Sequence, residues 1–289
     1  MSLLAAALLG ILQAATEFLP VSSTAHLLVF GELLGHDLGD PRFRAFATII
    51  QSGTTLAVVA YFRRDIGRLL AAGVRSMGRG RPLETPESRL GWYILLGTVP
   101  AAAAGVLLER EIEGLGNWVI AVSLVGLGLL LLVAERRARH VRTMGDVSAR
   151  DALLVGVAQA VALVPGSSRS GTTLTAGMLL GFTREAAARF SFLLSVPIII
   201  GAGAYKLWKT APILRGEPAW AAATWVGTAV SAVAGYLVIH WLLGWLRTRT
   251  THLFVVWRIV AGIAVAVLIW QGILPASHEA RRPAAVRGP

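Results

Sequence analysis

The sequence predicts an all-α polytopic membrane protein, built as an inverted-topology repeat in which each half is a re-entrant helix hairpin plus three transmembrane helices. Three observations carry that prediction. Hydrophobic residues make up 55% of the chain and charged residues only 15%, against about a quarter charged in soluble domains. The apolar residues come in long uncharged blocks, not in the short alternating segments of a membrane β-barrel. Two of those blocks are interrupted by similar polar motifs, "EFLPVSSTAH" (17–26) and "PGSSRSG" (165–171).

The elements follow in order. Residues 2–31 are apolar on either side of the first motif, but each piece is too short to cross a membrane, which takes about 20 residues. They predict a hairpin that enters the membrane and turns back. Uncharged blocks at 45–62, 90–108 and 115–134 predict three spans. Residues 152–183, broken by the second motif, predict a second hairpin, and 190–205, 219–246 and 259–276 predict the last three spans.

The chain is thus a single membrane domain with internal repeats at about 1–135 and 150–276. "GILQAATEFLPVSSTAH" (10–26) aligns with "GVAQAVALVPGSSRSG" (156–171) through Gly10/Gly156, Gln13/Gln159, Pro20/Pro165 and the Ser-Ser pairs, with a one-residue slip. Phe46 and Tyr61 have the same separation as Phe190 and Tyr205, and "TVPAAAAG" (98–105) matches "TAVSAVAG" (228–235) at Thr and Gly. An odd number of crossings per half inverts the second copy. Inverted repeats with broken helices place a binding site near the membrane midplane, where the breaks meet.

The net charge is +11, and the basic residues are nearly all Arg, Lys206 and Lys209 being the lysines. They cluster between apolar blocks, where anionic lipid headgroups, not nucleic acid, are the natural partner. Segments 63–89 and 135–150 are basic and 109–117 is acidic, so the positive-inside rule puts the first two in the cytoplasm and the third outside. Residues 32–44 then lie outside. The first hairpin enters from the outer face, the second from the cytoplasm, and both chain ends emerge outside, with only the "RRPAAVR" tail opposing. "MSLLAAALLG" lacks the positive n-region of a secretory signal peptide. The absence of cysteine excludes disulfides, thiolate catalysis and Cys-ligated metals.

The breaks carry the chemistry. Pro20 ends one half-helix, and Ser22 or Ser23 is placed to cap the next. A helix starting there aims free N–H groups and its positive end inward, a ready anion site. His26 shares a helix face with Ser23, and Glu17 can fold back towards both. In the second break Pro165 and Gly166 free the backbone, and Ser167 or Ser168 caps. Arg169 supplies a fork suited to phosphate. Together these groups describe a site for a di- or oligo-anion that can also move protons. The plain structural alternative is a Glu17–Arg169 ion pair joining the hairpins, although intramembrane charges are functional by default. Arg258 either snorkels or supports the site. His36, His140, His240, His252 and His278 read as structural or solvated. Trp92, Trp220 and Trp245 read as interfacial anchors, and Gly126, Gly128 and Gly262 as helix-packing positions.

"TEFLPVSSTAH" (16–26) and "PGSSRSGTT" (165–173) resemble the two signature motifs of the bacterial undecaprenyl-diphosphatase, or bacitracin-resistance, family, and the resemblance covers nearly the whole chain. It implies removal of the terminal phosphate from undecaprenyl diphosphate at the outer face of the cytoplasmic membrane. That recycles the lipid carrier for peptidoglycan and other envelope polymers. It also implies a divalent cation, Mg²⁺ or Ca²⁺, and functional roles for Glu17, Ser23, His26, Ser168, Arg169 and Thr173. The chain departs from many members at Gln13, where they carry a second Glu, and at Ala25, where Gly is usual.

On that resemblance the expected catalytic residues are Glu17, Ser23, His26 and Arg169. Ser23 is the leading nucleophile with His26 as its base; His26 itself or a metal-bound water are alternatives. Glu17 orients His26 or ligates the metal. Ser22, Thr24, Gly166, Ser168, Ser170 and Thr173 are the expected phosphate-binding positions. The rival function is a transporter or flippase of a phosphorylated polyprenyl lipid, which needs anion binding but no nucleophile beside a base. A homodimer is an open assembly state.

Overall fold

The computed structural model describes residues 1–37, 40–214 and 216–276. Helix α1 (Leu3–Phe18) starts at Ser2, whose hydroxyl accepts Ala5 N–H at 3.2 Å, and stops before Pro20. After the break comes α2 (Ser23–Leu33). Helices α3 (Pro41–Ile49) and α4 (Gln51–Tyr61) run on as one span. They are followed by α5 (Arg63–Gly78), α6 (Pro86–Leu107), the short α7 (Glu109–Glu113) and α8 (Trp118–Arg137). The second half of the chain holds α9 (Ala149–Val161), α10 (Arg169–Leu179), α11 (Arg184–Thr210), α12 (Pro218–Thr248) and α13 (His252–Trp270). Six helices among the described residues are long and apolar enough to cross a membrane. The chain is therefore an all-α, multi-pass membrane protein.

Two boundaries differ from the sequence reading. The basic segment after the first span, to which the sequence assigns no element, begins with helix α5, whose Ile66 and Leu69 pack on the main core while Arg63, Arg64 and Arg68 face outward. A basic amphipathic helix lies naturally in the headgroup layer. The last span begins at His252, not 259, and so contains Arg258. Charge alone argued for excluding that residue; its interior partners allow it. His278 and the basic tail lie outside the described residues.

Loops gather at two ends. At one, Asp65 pairs with Arg189, Arg142 grips Asp151 at the start of α9, and Glu135 accepts Arg184 together with the N–H and hydroxyl of Thr251. At the other, Asn117 donates to the carbonyls of Ala276 and Pro275, and Arg42 meets Glu217 at 3.6 Å. The first end carries the basic segments and the second the acidic one.

The halves are interlocked by small residues. A Cβ on Gly10 of α1 would stand 2.5 Å from the carbonyl oxygen of Gly227 in α12, and a Cβ on Gly156 of α9 would collide with that of Gly97 in α6. Such contacts let backbones close where lipid gives no hydrophobic drive for association. Gly128 and Gly262 likewise seat α8 against α13, whereas Gly126 faces open space. In the core, Phe18 at the end of α1 meets Phe192 of α11 edge-on, with centroids 5.6 Å apart. That packing fixes the residue next to Glu17.

Candidate active site

Both helix breaks use the same backbone device. Ser22 stands at φ 77°, ψ 107° and Ser168 at φ 66°, ψ 111°, each immediately before a helix. Non-glycine residues rarely accept positive φ, so the surroundings must hold both. Their side chains then diverge. Ser168 Oγ caps α10 by accepting Gly171 N–H at 3.2 Å, while the Ser22 hydroxyl makes no cap bond to α2. Gly166, at φ 87°, has no room for a side chain: a Cβ would stand 2.6 Å from the Ile120 carbonyl oxygen.

The breaks meet at Glu17. Its Oε1 accepts Arg169 Nη2 at 2.6 Å, and its Oε2 accepts Ser23 Oγ at 3.0 Å and Gln13 Nε2 at 3.2 Å. Arg169 thus reaches this carboxylate across 152 positions of the chain and shares it with Gln13 and Ser23. Arg169 keeps its other nitrogen, Nη1, without a partner among the described residues. A second tie runs from Ser170 Oγ to the Leu19 carbonyl at 2.9 Å.

Arg258 completes the junction. Only 1% exposed, it meets no carboxylate among the described residues and spends its fork on backbone oxygens of both breaks and of α8. Nη1 donates to Pro20 at 3.2 Å, Nη2 to Ser167 at 3.0 Å, Gly166 at 3.4 Å and Ser123 at 3.2 Å, and Nε to Leu124 at 3.3 Å. Chain breaks leave carbonyls that helix geometry would have satisfied. One guanidinium satisfies them and leaves its positive charge beside the breaks.

A cavity of about 320 Å³ opens at this junction, lined by Glu17, Ser22, Ser23, Thr24, Gly166, Ser168 and Arg169, and by Gln159 of α9. It adjoins an apolar groove of about 700 Å³ between α4, α11 and α12, the two sharing Ile49, Ser52, Thr55, Ile199, Gly203 and Leu207. A polar chamber opening onto an apolar groove suits an amphiphile with an anionic head.

Three expected site residues are placed otherwise. His26 is 6% exposed and does not line the cavity. Its Nδ1 bonds the Ser22 carbonyl at 2.7 Å and its Nε2 accepts Trp257 Nε1–H at 2.8 Å. The expected Ser23–His26 pairing is therefore replaced by Ser23–Glu17, because the turn at Ser22 directs the imidazole to the back of the break. Ser170 and Thr173 are buried and bonded to protein, Thr173 to the Arg169 carbonyl at 2.6 Å and to Ser191 Oγ. Trp257 escaped the sequence reading, its only signal being adjacency to Arg258. Gln159 was visible only as the repeat partner of Gln13.

Among the described residues no three His, Cys, Asp or Glu side chains gather to form a metal cage. One carboxylate, Glu17, stands beside the amide of Gln13, whose Oε1 is buried and unpartnered. These are oxygen donors of the kind hard divalent cations take, commonly with one or two carboxylates and the substrate's own phosphates.

Residues 6–264 match the family model described as "Bacitracin resistance protein BacA". Among curated relatives, an undecaprenyl-diphosphatase of Anaeromyxobacter sp. (strain Fw109-5) is 80% identical, covering 96% of this chain and 91% of the relative. One from Myxococcus xanthus (strain DK1622) is 49% identical over 95% of this chain and 91% of its own. One from Chlorobium limicola (strain DSM 245 / NBRC 103803 / 6330) is 42% identical over 96% and 100%.

Proposed function

The chain belongs to the bacitracin resistance protein BacA family, and from that premise we propose that it hydrolyses undecaprenyl diphosphate to undecaprenyl phosphate and inorganic phosphate. The observation that carries the reading to these residues is the bridge Ser23–Glu17–Arg169, which sets a hydroxyl, a base and a phosphate-binding fork around one cavity. A flippase needs the fork but not the hydroxyl on a carboxylate, so hydrolysis is favoured over transport.

In this mechanism the diphosphate enters the cavity and draws Arg169 from Glu17 onto its terminal phosphoryl group. Ser23 Oγ attacks the terminal phosphorus in line with the bridging oxygen, and Glu17, now free of its cation, takes the hydroxyl proton. The bridging P–O bond breaks and undecaprenyl phosphate leaves with the electron pair. Glu17 passes its proton to the departing phosphate oxygen; water, deprotonated by the restored carboxylate, then attacks the phosphorus, and Ser23 Oγ leaves with the electron pair and takes that proton back as inorganic phosphate is released. Arg169 and the N–H groups at the start of α10 neutralise charge on the transferring phosphoryl. Ser22, Thr24, Gly166 and Ser168 form the wall around it, and His26, Ser170 and Thr173 hold the two breaks in shape. Mg²⁺ or Ca²⁺ at Glu17 and Gln13 would supply further charge neutralisation.

The polyprenyl tail fits the groove between α4, α11 and α12. With the basic end in the cytoplasm, the site opens to the outer side of the bacterial inner membrane, where the recycled carrier serves cell-wall synthesis. The inverted-repeat and re-entrant architecture is supported by the reciprocal glycine crossings and by the matching dihedrals at Ser22 and Ser168.

The test is phosphate release from a C55 diphosphate by the purified protein in detergent, with and without Mg²⁺ or Ca²⁺, for wild type, Ser23→Ala and Arg169→Ala. Release by wild type that collapses in both variants supports the assignment. A folded wild type that binds the diphosphate and releases nothing defeats it.

A further inference from the structure

Gln159 is a long polar side chain near the end of α9, 2% exposed, and it lines the cavity that holds Glu17, Ser23 and Arg169. Neither its Nε2 nor its Oε1 has a partner among the described residues. Buried amides are almost always bonded, because burial without a bond forfeits their hydration. Its repeat counterpart behaves differently. Gln13 is equally buried, but its Nε2 donates to Glu17, four residues on along the same helix face. Four residues after Gln159 stands Leu163, so the second half offers its amide no carboxylate. The nearest reason to keep a donor there is the cavity itself, where Arg169 Nη1 also lacks a partner.

Resting on the phosphatase reading, we propose that Gln159 is a substrate-binding residue whose amide N–H donates to a phosphate oxygen of the diphosphate head, beside Arg169 Nη1. The two repeats have then divided one ancestral position. Gln13 steadies the carboxylate, and Gln159 contacts the anion. A neutral donor is suited to that place, because it binds the oxygen without competing with Arg169 for Glu17.

The test compares wild type, Gln159→Leu and Gln159→Glu in detergent. Three quantities are measured: the Kd for methylenediphosphonate, a diphosphate that cannot be hydrolysed; kcat and KM on the C55 diphosphate; and Tm. Gln159→Leu should bind the diphosphonate about tenfold more weakly, and Gln159→Glu more weakly still through charge repulsion. The Tm of Gln159→Leu should equal or exceed that of wild type, because two unpaired buried polar atoms give way to an apolar group of similar size. Binding within twofold of wild type overturns the proposal. So does a lower Tm with loss of affinity in proportion, which would make the amide structural. If wild type releases no phosphate yet Gln159→Leu still weakens diphosphonate binding, the phosphatase reading fails and the contact stands.

Discussion

Trp257 Nε1 donates to His26 Nε2 at 2.8 Å, and the two rings lie nearly parallel, 9° apart. The bond fixes Nε2 as an acceptor, so the proton of the neutral ring sits on Nδ1 and goes to the Ser22 carbonyl. The imidazole thereby ties α13 to the residue that carries the positive φ of the first break. Trp257→Phe keeps an aromatic ring beside the imidazole and removes the donor. It should lower kcat/KM about five- to tenfold with little loss of Tm, while Trp257→Leu, which removes both, should lower Tm as well; phosphate release and thermal unfolding in detergent measure the two effects.

Arg258 is held by five backbone carbonyls from three parts of the chain. Arg258→Met leaves those oxygens unpaired inside the protein, at a cost of about 1–3 kcal/mol for each that finds no new donor. It should fail to give a monodisperse peak in size-exclusion chromatography. Arg258→Lys keeps the charge but reaches fewer oxygens, and should fold with a clearly lower Tm.

Arg169 uses one nitrogen on Glu17 and leaves another unpartnered. Arg169→Lys preserves the charge and loses the fork, so kcat/KM should fall about a hundredfold, roughly 3 kcal/mol of transition-state stabilisation. Glu17→Gln should fall at least as far, since it removes the proton acceptor of Ser23. Combining the two should not add their effects, because they act on one junction.

Gly10 and Gly156 have no room for a side chain. Gly10→Val should push α1 from α12 and Gly156→Val should push α9 from α6. Both should reduce Tm and activity together, through overpacking of about 1–3 kcal/mol or more. Gly126→Ala, facing open space, should leave the Tm within about a degree of wild type, as surface substitutions usually do.

Much of this was legible before any coordinates. Six spans follow from uncharged length, and the two breaks from Pro and Gly set among serines inside apolar blocks. The meeting of Glu17 with Arg169 was foreseeable because two charges in lipid seek each other. The partners that run crosswise were not. Nothing local tells that the carbonyls of Pro20 and Ser167 turn to one arginine in α13, or that an indole, not a serine, takes the imidazole. Those bonds depend on backbone direction at single residues. A positive φ at Ser22 overrides the helix-face argument that had paired Ser23 with His26. The helical character of α5 was not legible, because its arginines interrupt the apolar run that Ile66 and Leu69 would otherwise mark.

The crossed seating of the halves bears on how the chain is made. Residues leave the ribosome in order, so α1 and Glu17 enter the membrane long before their partners exist. Arg169 follows 152 positions later, the α12 groove that receives Gly10 near position 227, and Arg258 last of all. The first break is therefore made with its carboxylate bonded only to Ser23 and Gln13 and its Pro20 carbonyl still without a donor; α10 brings Arg169 to the first, and the second is met only when α13 brings Arg258. A ribosome stalled before α13 would leave a half-built protein with exposed polar backbone at membrane depth, a mark by which quality-control proteases could tell it from the finished molecule.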